Sequence, residues 1–214
     1  MSDNLEPRPP ALQWRVVLPV KGAPDAKSRL DVGPEVARNE LALAMALDTL
    51  TAALASPAVQ AVLVVTSDPA MATAASAAGA QVEPDPGHGL DQAVRRGRDL
   101  LATARSGPVA ALLADVPALR AEDLTAALAS CAAYDAAYVP DAEGTGTVLL
   151  AAMVPDGLRP AFGDGSAARH DLVAKRLELD LPRLRRDVDV EASLREARAL
   201  GVGPRTAALL DGLG

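Results

Sequence analysis

Short apolar runs alternate along this chain with longer segments whose apolar residues recur every three or four positions. The runs RVVLPV (15–20), AVLVVT (61–66) and VAALLA (109–114) are almost continuous, which is typical of strands buried on both faces of a parallel sheet. This alternation predicts an α/β fold with a Rossmann-like, mostly parallel sheet and helices on both faces. The helices predicted by spacing and breakers are 35–54, 69–79, 90–105 and 121–131, with a short strand at 80–83.

The rhythm changes after residue 133. Two strands, 136–140 and 147–153, are predicted to be joined by a glycine-rich turn without an intervening helix. A long irregular loop (155–165), a short helix from Ser166, a strand near 177–179 and a closing helix at 191–200 complete the prediction. With 214 residues, half of them hydrophobic, the chain is expected to form one domain over 15–214, preceded by a disordered tail over 1–14.

Charge and composition exclude several classes of function. The net charge is -7 and no basic stripe is present, which argues against duplex nucleic acid as a partner. No stretch of 18 apolar residues is free of charge or proline, so no membrane span is expected. The single cysteine, Cys131, excludes a disulfide framework, and the first ten residues carry no hydrophobic signal core. A cytoplasmic protein is therefore expected.

Three aspartates are placed where ligands bind in open α/β sheets. Asp115 follows the run at 109–114, and ligands bind beyond the carboxyl ends of parallel strands. Asp187 and Asp189 point the same way if their segment is extended, with Val188 turned inward. Carboxylates that converge there would suit Mg²⁺, which usually accompanies phosphates. The alternative is that Asp187-Val188-Asp189 is simply the N-cap region of the helix that follows.

Cations follow the first predicted strand in the segment VKGAPDAKSRL. Lys21, Lys27 and Arg29 would lie at the same sheet edge as Asp115 and could hold a triphosphate. A solvated basic loop is the alternative interpretation. The segment matches neither GxxxxGK[ST] nor GxGxxG, so neither a P-loop nor a dinucleotide site is predicted.

Five motifs occur in an order that resembles one family. They are VVLPVKGAPDAKSRL (16–30), LLADVPAL (112–119), GTGT (144–147), FGDGSAARH (162–170) and DVDVEASLREARALGVGPRT (187–206). From Arg15 to Thr206 the chain resembles the CofC/FbiD guanylyltransferases that make the deazaflavin coenzyme F-420. The resemblance implies a GT-A-like nucleotidyltransferase fold. It also implies transfer of GMP from GTP to phosphoenolpyruvate, giving enolpyruvyl-diphospho-guanosine and pyrophosphate.

The resemblance also implies roles for individual residues. The implied metal ligands are Asp115, Asp187 and Asp189, which would hold two Mg²⁺ ions and act in catalysis together with Lys27. Thr147, Gly163 and Ser166 would bind the phospho-acid, and we expect Ser166 to cap a helix whose free N–H groups face the anion. Nucleotide binding is assigned to Lys21, Lys27, Arg29, Gly89 and Asp91, although many family members carry Asn at position 91.

Several alternatives stay open from the sequence. The acceptor could instead be 2-phospho-L-lactate, 3-phosphoglycerate or a sugar 1-phosphate. A glycosyltransferase commonly has its D-x-D near mid-chain, whereas here it lies near the C-terminus. A regulator that binds GTP without consuming it has the same fold-level signature. The expected partners are GTP, a three-carbon phospho-acid and the next enzyme of the pathway.

Overall fold

Seven strands form one mixed sheet in the computed structural model, which describes residues 12–21, 35–104 and 107–212. The strand order is β3-β2-β1-β4-β6-β5-β7. Four of the six strand pairs are parallel, and the two pairs that involve β6 are antiparallel. The mostly parallel sheet predicted from the apolar runs is therefore confirmed. The strands are β1 Trp14–Val20, β2 Val59–Thr66, β3 Gln81–Pro84, β4 Val109–Leu112, β5 Ala136–Pro140, β6 Thr147–Ala152 and β7 Lys175–Arg176.

Helices cover both faces of this sheet. They are α1 Glu35–Ala55, α2 Pro69–Ala77, α3 Leu90–Ala104, α4 Ala121–Cys131, α5 Ser166–His170, α6 Pro182–Arg185, α7 Glu191–Leu200 and α8 Pro204–Gly212. Helices α1, α2, α4 and α6 pack on the face that buries Val16 and Leu18 of β1. Helices α3 and α5 pack on the opposite face, against Val17. Because successive side chains of a strand point to opposite faces, β1 supplies both halves of the core.

The topology creates a crevice at one edge of the sheet. β1 lies between β2 and β4 and runs parallel to both. The chain places β2 and β3 on one side of β1 and then β4 on the other side, so β1 is where the strand order changes direction. Ligands of open α/β sheets bind at such a switch point, beyond the carboxyl ends of the strands. β6 runs the other way, and Leu112 at the end of β4 pairs with Leu149 near the start of β6. Thr147 is therefore brought to the same edge.

Some predicted boundaries were wrong. The last strand is Lys175–Arg176 and not 177–179, and β4 ends at Leu112, two residues earlier than predicted. A 3-10 turn at Pro155–Gly157 interrupts the predicted loop, and α6 and α8 were not predicted. Both missed helices begin with Pro at their first position, where the missing N–H breaks no helical hydrogen bond and the fixed φ suits a helix.

None of the helices in the described ranges is both long enough and apolar enough to cross a membrane. Cys131 is buried in the core on α4, and burial raises the pKa of its thiol to about 12. It therefore packs as a small hydrophobic side chain.

Candidate active site

A cavity of about 410 Å³ opens at the carboxyl edge of the sheet. Its walls come from the ends of β1 and β4, the turn between β5 and β6, the loop before α5 and the segment before α7. Among its lining residues that the structure describes are five aspartates and a single lysine. These charged residues are Lys21, Asp115, Asp141, Asp164, Asp187 and Asp189.

The segment 187–189 is anchored by its central residue. The N–H of Val188 donates a 2.9 Å hydrogen bond to the carbonyl oxygen of Asp115. The Val188 side chain is fully buried and packs in a cluster with Leu41, Met45 and Leu194. Because neighbouring side chains point away from an inward-facing residue, Asp187 and Asp189 are directed outward, and both line the cavity. The structure thus brings the three predicted carboxylate residues to one site.

The start of α7 has its own capping group. The N-cap residue is Val190, and Ser193 Oγ accepts hydrogen bonds from the N–H groups of Asp189 and Val190 at 3.1 and 3.2 Å. Ser193 Oγ also donates to the Val190 carbonyl at 2.9 Å. The N-cap position itself is therefore held by Val190, and Asp187 and Asp189 lie in the segment just before it.

Asp187 also belongs to a second, more compact group of carboxylates. Carboxylate oxygens of Asp141, Glu143 and Asp187 all lie within 4.8 Å of one another, and Asp115 and Asp189 are not part of this group. The two oxygens of Asp141 accept from the N–H groups of Thr145 and Gly146 at 2.9 and 2.7 Å.

These interactions restrict what the compact group can bind. Glu143 is exposed and forms a 2.5 Å ion pair with Arg186. Asp141 and Glu143 are thus engaged by donors of the protein itself, and Asp141 organises the turn between β5 and β6. A Cβ atom at Gly146 would lie 2.3 Å from Asp141 Oδ2, so this close approach requires glycine.

The predicted phospho-acid residues lie on one wall of the cavity, formed by the start of β6 and the segment that leads into α5. Thr147, Gly163 and Ser166 all line the cavity, and the side chains of Thr147 and Ser166 are largely buried. The expectation that Ser166 caps α5 is wrong, because the N-cap is Gly165. The N–H groups of Ser166 and Ala167 already donate to the carbonyls of Gly163 and Thr145, both at 3.0 Å. These two N–H groups are therefore not available to a ligand, and Ser166 can offer its hydroxyl group instead.

Two charged side chains hold the loop that carries Gly163. The Arg169 guanidinium donates to the carbonyls of Ala161, Phe162, Gly163 and Asp164 at 2.8–3.2 Å. Asp91 Oδ1 accepts from the Phe162 N–H at 2.8 Å. Gly163 has a φ of 99°, a left-handed conformation that favours glycine. The guanidinium group of Arg169 is therefore used to hold the loop and is not positioned to bind a ligand.

His170 is a buried residue of this wall that the sequence analysis did not identify. Its Nδ1 lies 2.8 Å from Thr147 Oγ1, and its Nε2 accepts from the Ala161 N–H at 3.0 Å. The ring packs edge-on against Phe162, with centroids 5.2 Å apart. Burial lowers the pKa of His170 to about 4, so the ring is neutral near pH 7. The sequence feature that could have indicated a role for His170 is its position as the last residue of the motif FGDGSAARH.

The predicted nucleotide residues are only partly described. Lys21 is exposed at the end of β1 and lines the cavity, whereas Lys27 and Arg29 lie outside the described residues. Gly89 and Asp91 flank Leu90, which lines the cavity at the start of α3.

Comparison with known proteins identifies the family. The family model described as "Guanylyl transferase CofC like" matches residues 14–194. The chain belongs to this family. It is 52% identical over 208 residues to the phosphoenolpyruvate guanylyltransferase of Geodermatophilus obscurus, covering 93% of this chain and 94% of the relative. It is 50% identical over 207 residues to the enzyme of the same name from Streptomyces scabiei, covering 92% and 95%.

Solved structures show the same fold at much lower identity. A nucleotidyl transferase from a Methanothermobacter species superposes with a TM-score of 0.61 at 18% identity, over 87% of this chain and 97% of the other. The chain is thus an enzyme of the nucleotidyltransferase class, as the sequence motifs predicted.

Proposed function

We propose that this enzyme transfers GMP from GTP to phosphoenolpyruvate, giving enolpyruvyl-diphospho-guanosine and releasing pyrophosphate. The observation that carries the proposal is identity of about half over nearly the full length of relatives named phosphoenolpyruvate guanylyltransferase. We assign the reaction to coenzyme F-420 biosynthesis in the cytoplasm, where the next enzyme of the pathway would take up the product.

The charge of the cavity supports a role for divalent cations. Both reactants are anionic, yet the described lining holds five aspartates and one lysine. Hard carboxylate oxygens suit Mg²⁺, so the donor set fits this ion. We assign Asp115, Asp187 and Asp189 as the residues that would hold it, because all three line the cavity and the Val188–Asp115 backbone hydrogen bond joins their two segments. Bound Mg²⁺ would neutralise phosphate charge and orient the reactants.

The proposed chemistry needs no general base. The nucleophile is a phosphate monoester oxygen, which is already ionised near neutral pH because its second pKa is about 6. It attacks the α-phosphorus of GTP, the bond to the bridging oxygen of the β-phosphate breaks, and pyrophosphate leaves. His170 could not serve as a base, since both of its ring nitrogens are engaged within the protein. Positioning of the reactants should therefore supply most of the rate enhancement.

We assign the two reactants to the two sides of the cavity. Thr147, Gly163 and Ser166 would bind the phospho-acid, because two hydroxyl groups and a glycine backbone present polar groups without bulk. Lys21, Lys27 and Arg29 would bind the triphosphate and stabilise the departing pyrophosphate. Of the three, we assign Lys27 a part in catalysis as well as in nucleotide binding. Gly89 and Asp91 would border the nucleotide, Asp91 acting through the loop that it holds at Phe162.

A product assay tests the proposal. The purified enzyme is incubated with GTP, MgCl₂ and one acceptor at a time, and products are weighed by mass spectrometry while pyrophosphate release is followed. We expect product with phosphoenolpyruvate at a kcat/KM well above that with 2-phospho-L-lactate, 3-phosphoglycerate or a sugar 1-phosphate. Preference for another acceptor would refute the substrate assignment. GTP binding without pyrophosphate release from any acceptor would indicate a regulator.

Two matched variants test the metal ligands. Asp189→Asn removes one charge from the assigned set, and Glu143→Gln removes one charge from the compact group while keeping its size. We expect Asp189→Asn to abolish turnover with the fold retained by circular dichroism, and Glu143→Gln to keep a near-normal Mg²⁺ titration. The reverse pattern would place the metal between Asp141, Glu143 and Asp187 instead.

A further inference from the structure

We propose that His170 is a positioning residue that fixes the Thr147 hydroxyl as a hydrogen-bond donor toward an acidic oxygen of the acceptor substrate. The inference rests on the proposed function for the identity of the acceptor. In this proposal the buried imidazole determines that the Thr147 hydroxyl donates a hydrogen bond, so that the pocket favours an acceptor group on the substrate.

The tautomer of His170 follows from its two neighbours. The Ala161 backbone nitrogen is a donor only, and it lies 3.0 Å from His170 Nε2. Nε2 must therefore be the unprotonated, accepting nitrogen of the ring. A neutral imidazole carries one proton, so that proton is on Nδ1, which lies 2.8 Å from Thr147 Oγ1.

The tautomer in turn fixes the direction of the Thr147 hydroxyl. Nδ1–H donates to Thr147 Oγ1, so the hydroxyl proton of Thr147 cannot point back at the ring. A hydroxyl has one proton and two lone pairs, and here one lone pair is occupied by His170. Because Thr147 lines the cavity, its proton is left to donate to a ligand there. A carboxylate or phosphate oxygen accepts such a proton, whereas an amide N–H₂ in the same place does not.

The ring is held rigidly enough to perform this task. His170 has no exposed surface, and it lies between Tyr138 on β5 and Phe162 in the loop, with ring centroids 5.7 and 5.2 Å away. Its two hydrogen bonds join β6, through Thr147, to the loop that begins at Ala161. The ring therefore also fixes the spacing between the two parts of the acceptor wall, Thr147 on one side and Gly163 with Ser166 on the other.

Two substitutions at His170 separate its two hydrogen bonds. Asn places an amide N–H₂ near the position of Nδ1, so His170→Asn keeps a donor for Thr147 and loses the acceptor for Ala161. Gln places its amide oxygen near the position of Nε2, so His170→Gln keeps the acceptor and loses the donor. We expect His170→Gln to raise the KM for phosphoenolpyruvate about ten-fold with the KM for GTP unchanged, and His170→Asn, which keeps the donor for Thr147, to raise it by clearly less.

A double-mutant cycle shows whether His170 acts through Thr147. In a Thr147→Val background, where the hydroxyl is absent, His170→Gln should raise the KM for phosphoenolpyruvate no further. Equal effects of Asn and Gln, or an unchanged effect of His170→Gln in the Thr147→Val background, would reduce His170 to a packing residue and overturn the proposal. Thermal unfolding of each variant confirms that it folds.

A spectroscopic measurement is independent of the substrate. The ¹⁵N shifts of His170 in the labelled wild-type protein should show a protonated Nδ1 and an unprotonated Nε2 at pH 7. The opposite tautomer would overturn the proposal even in an active enzyme. If no acceptor yields product, the proposed function fails, while the tautomer measurement still decides the assignment for His170.

Discussion

Burial of His170 should make the stability of the protein depend on pH in a defined window. The imidazole pKa is 6.5 in the unfolded reference and about 4 in the folded protein, chiefly because burial disfavours the charged ring. Asp91 and Asp171 raise the pKa of His170, and Arg169 lowers it, by charge, but these effects are smaller than that of burial. Protonation would also place an N–H at Nε2 against the N–H of Ala161.

The sign and size follow by linkage. Above pH 6.5 the ring is neutral in both states, and it adds no pH dependence. Between pH 6.5 and 4 the unfolded state binds a proton that the folded state does not, so the free energy of unfolding falls as pH falls. The difference of about 2.5 pKa units in this window, at 1.36 kcal/mol per unit, corresponds to a loss of about 3 kcal/mol by pH 4.

The assay is urea unfolding followed by the fluorescence of Trp14, the only tryptophan of the chain, which is buried in β1. The free energy of unfolding is measured at several pH values from 7.5 to 4 for wild type and for His170→Asn, whose amide does not titrate. Subtracting the two curves cancels the carboxylates common to both proteins. We expect the wild type to lose about 3 kcal/mol more than the variant. Parallel curves would show that the ring is not held neutral, and the reasoning would fail.

Three further substitutions test the supports of the site. Val188→Ala should lower the free energy of unfolding by roughly 1–3 kcal/mol in urea titrations and raise the Mg²⁺ concentration needed for half-maximal activity, because the anchored segment loosens; an unchanged Mg²⁺ titration would contradict this. Gly146→Ala should destabilise the fold by roughly 1–3 kcal/mol, since the new Cβ would lie 2.3 Å from an oxygen of Asp141; an unchanged urea midpoint would show that the turn can adjust. Arg169→Lys should raise the KM for phosphoenolpyruvate about ten-fold with the KM for GTP unchanged, because an ammonium group cannot replace the guanidinium fork on four carbonyls; equal changes in both KM values would point to a general loss of structure.

Much of the fold could be predicted because local pattern and tertiary structure agree. The continuous apolar runs became the central strands, and α4 has the predicted bounds. The misplaced or missed elements include β7, α6 and α8, which are short or weakly periodic segments. The position of β7 is set by its pairing with Ala137 and Tyr138 of β5. Because this pairing is distant in sequence, it leaves no hydrophobic periodicity in the two residues of β7.

The acidic residues of the site could also be predicted, whereas their supports could not. The position of Asp115 after an apolar run and the alternation of Asp187 and Asp189 were enough to predict that all three approach one site, and all three line the cavity. The roles of Asp141 and His170 depend on hydrogen bonds to backbone groups of other segments, at Gly146 and Ala161. A backbone N–H carries no residue-type signature, so such contacts are invisible until the chain is folded.

The residues that support the loop before α5 stiffen the wall that we propose binds the acceptor. The side chains of Asp91, Arg169 and His170 all form hydrogen bonds with backbone groups of the loop, at Ala161, Phe162, Gly163 and Asp164. A loop whose backbone is held in this way can present Gly163 and Ser166 without rearranging when a ligand enters. Reactions that need no acid or base gain mainly from such preorganisation. In this enzyme Asp91, Arg169 and His170 thus act on the chain around the proposed acceptor site, which gives a buried, neutral histidine a role in an enzyme of guanylyl transfer.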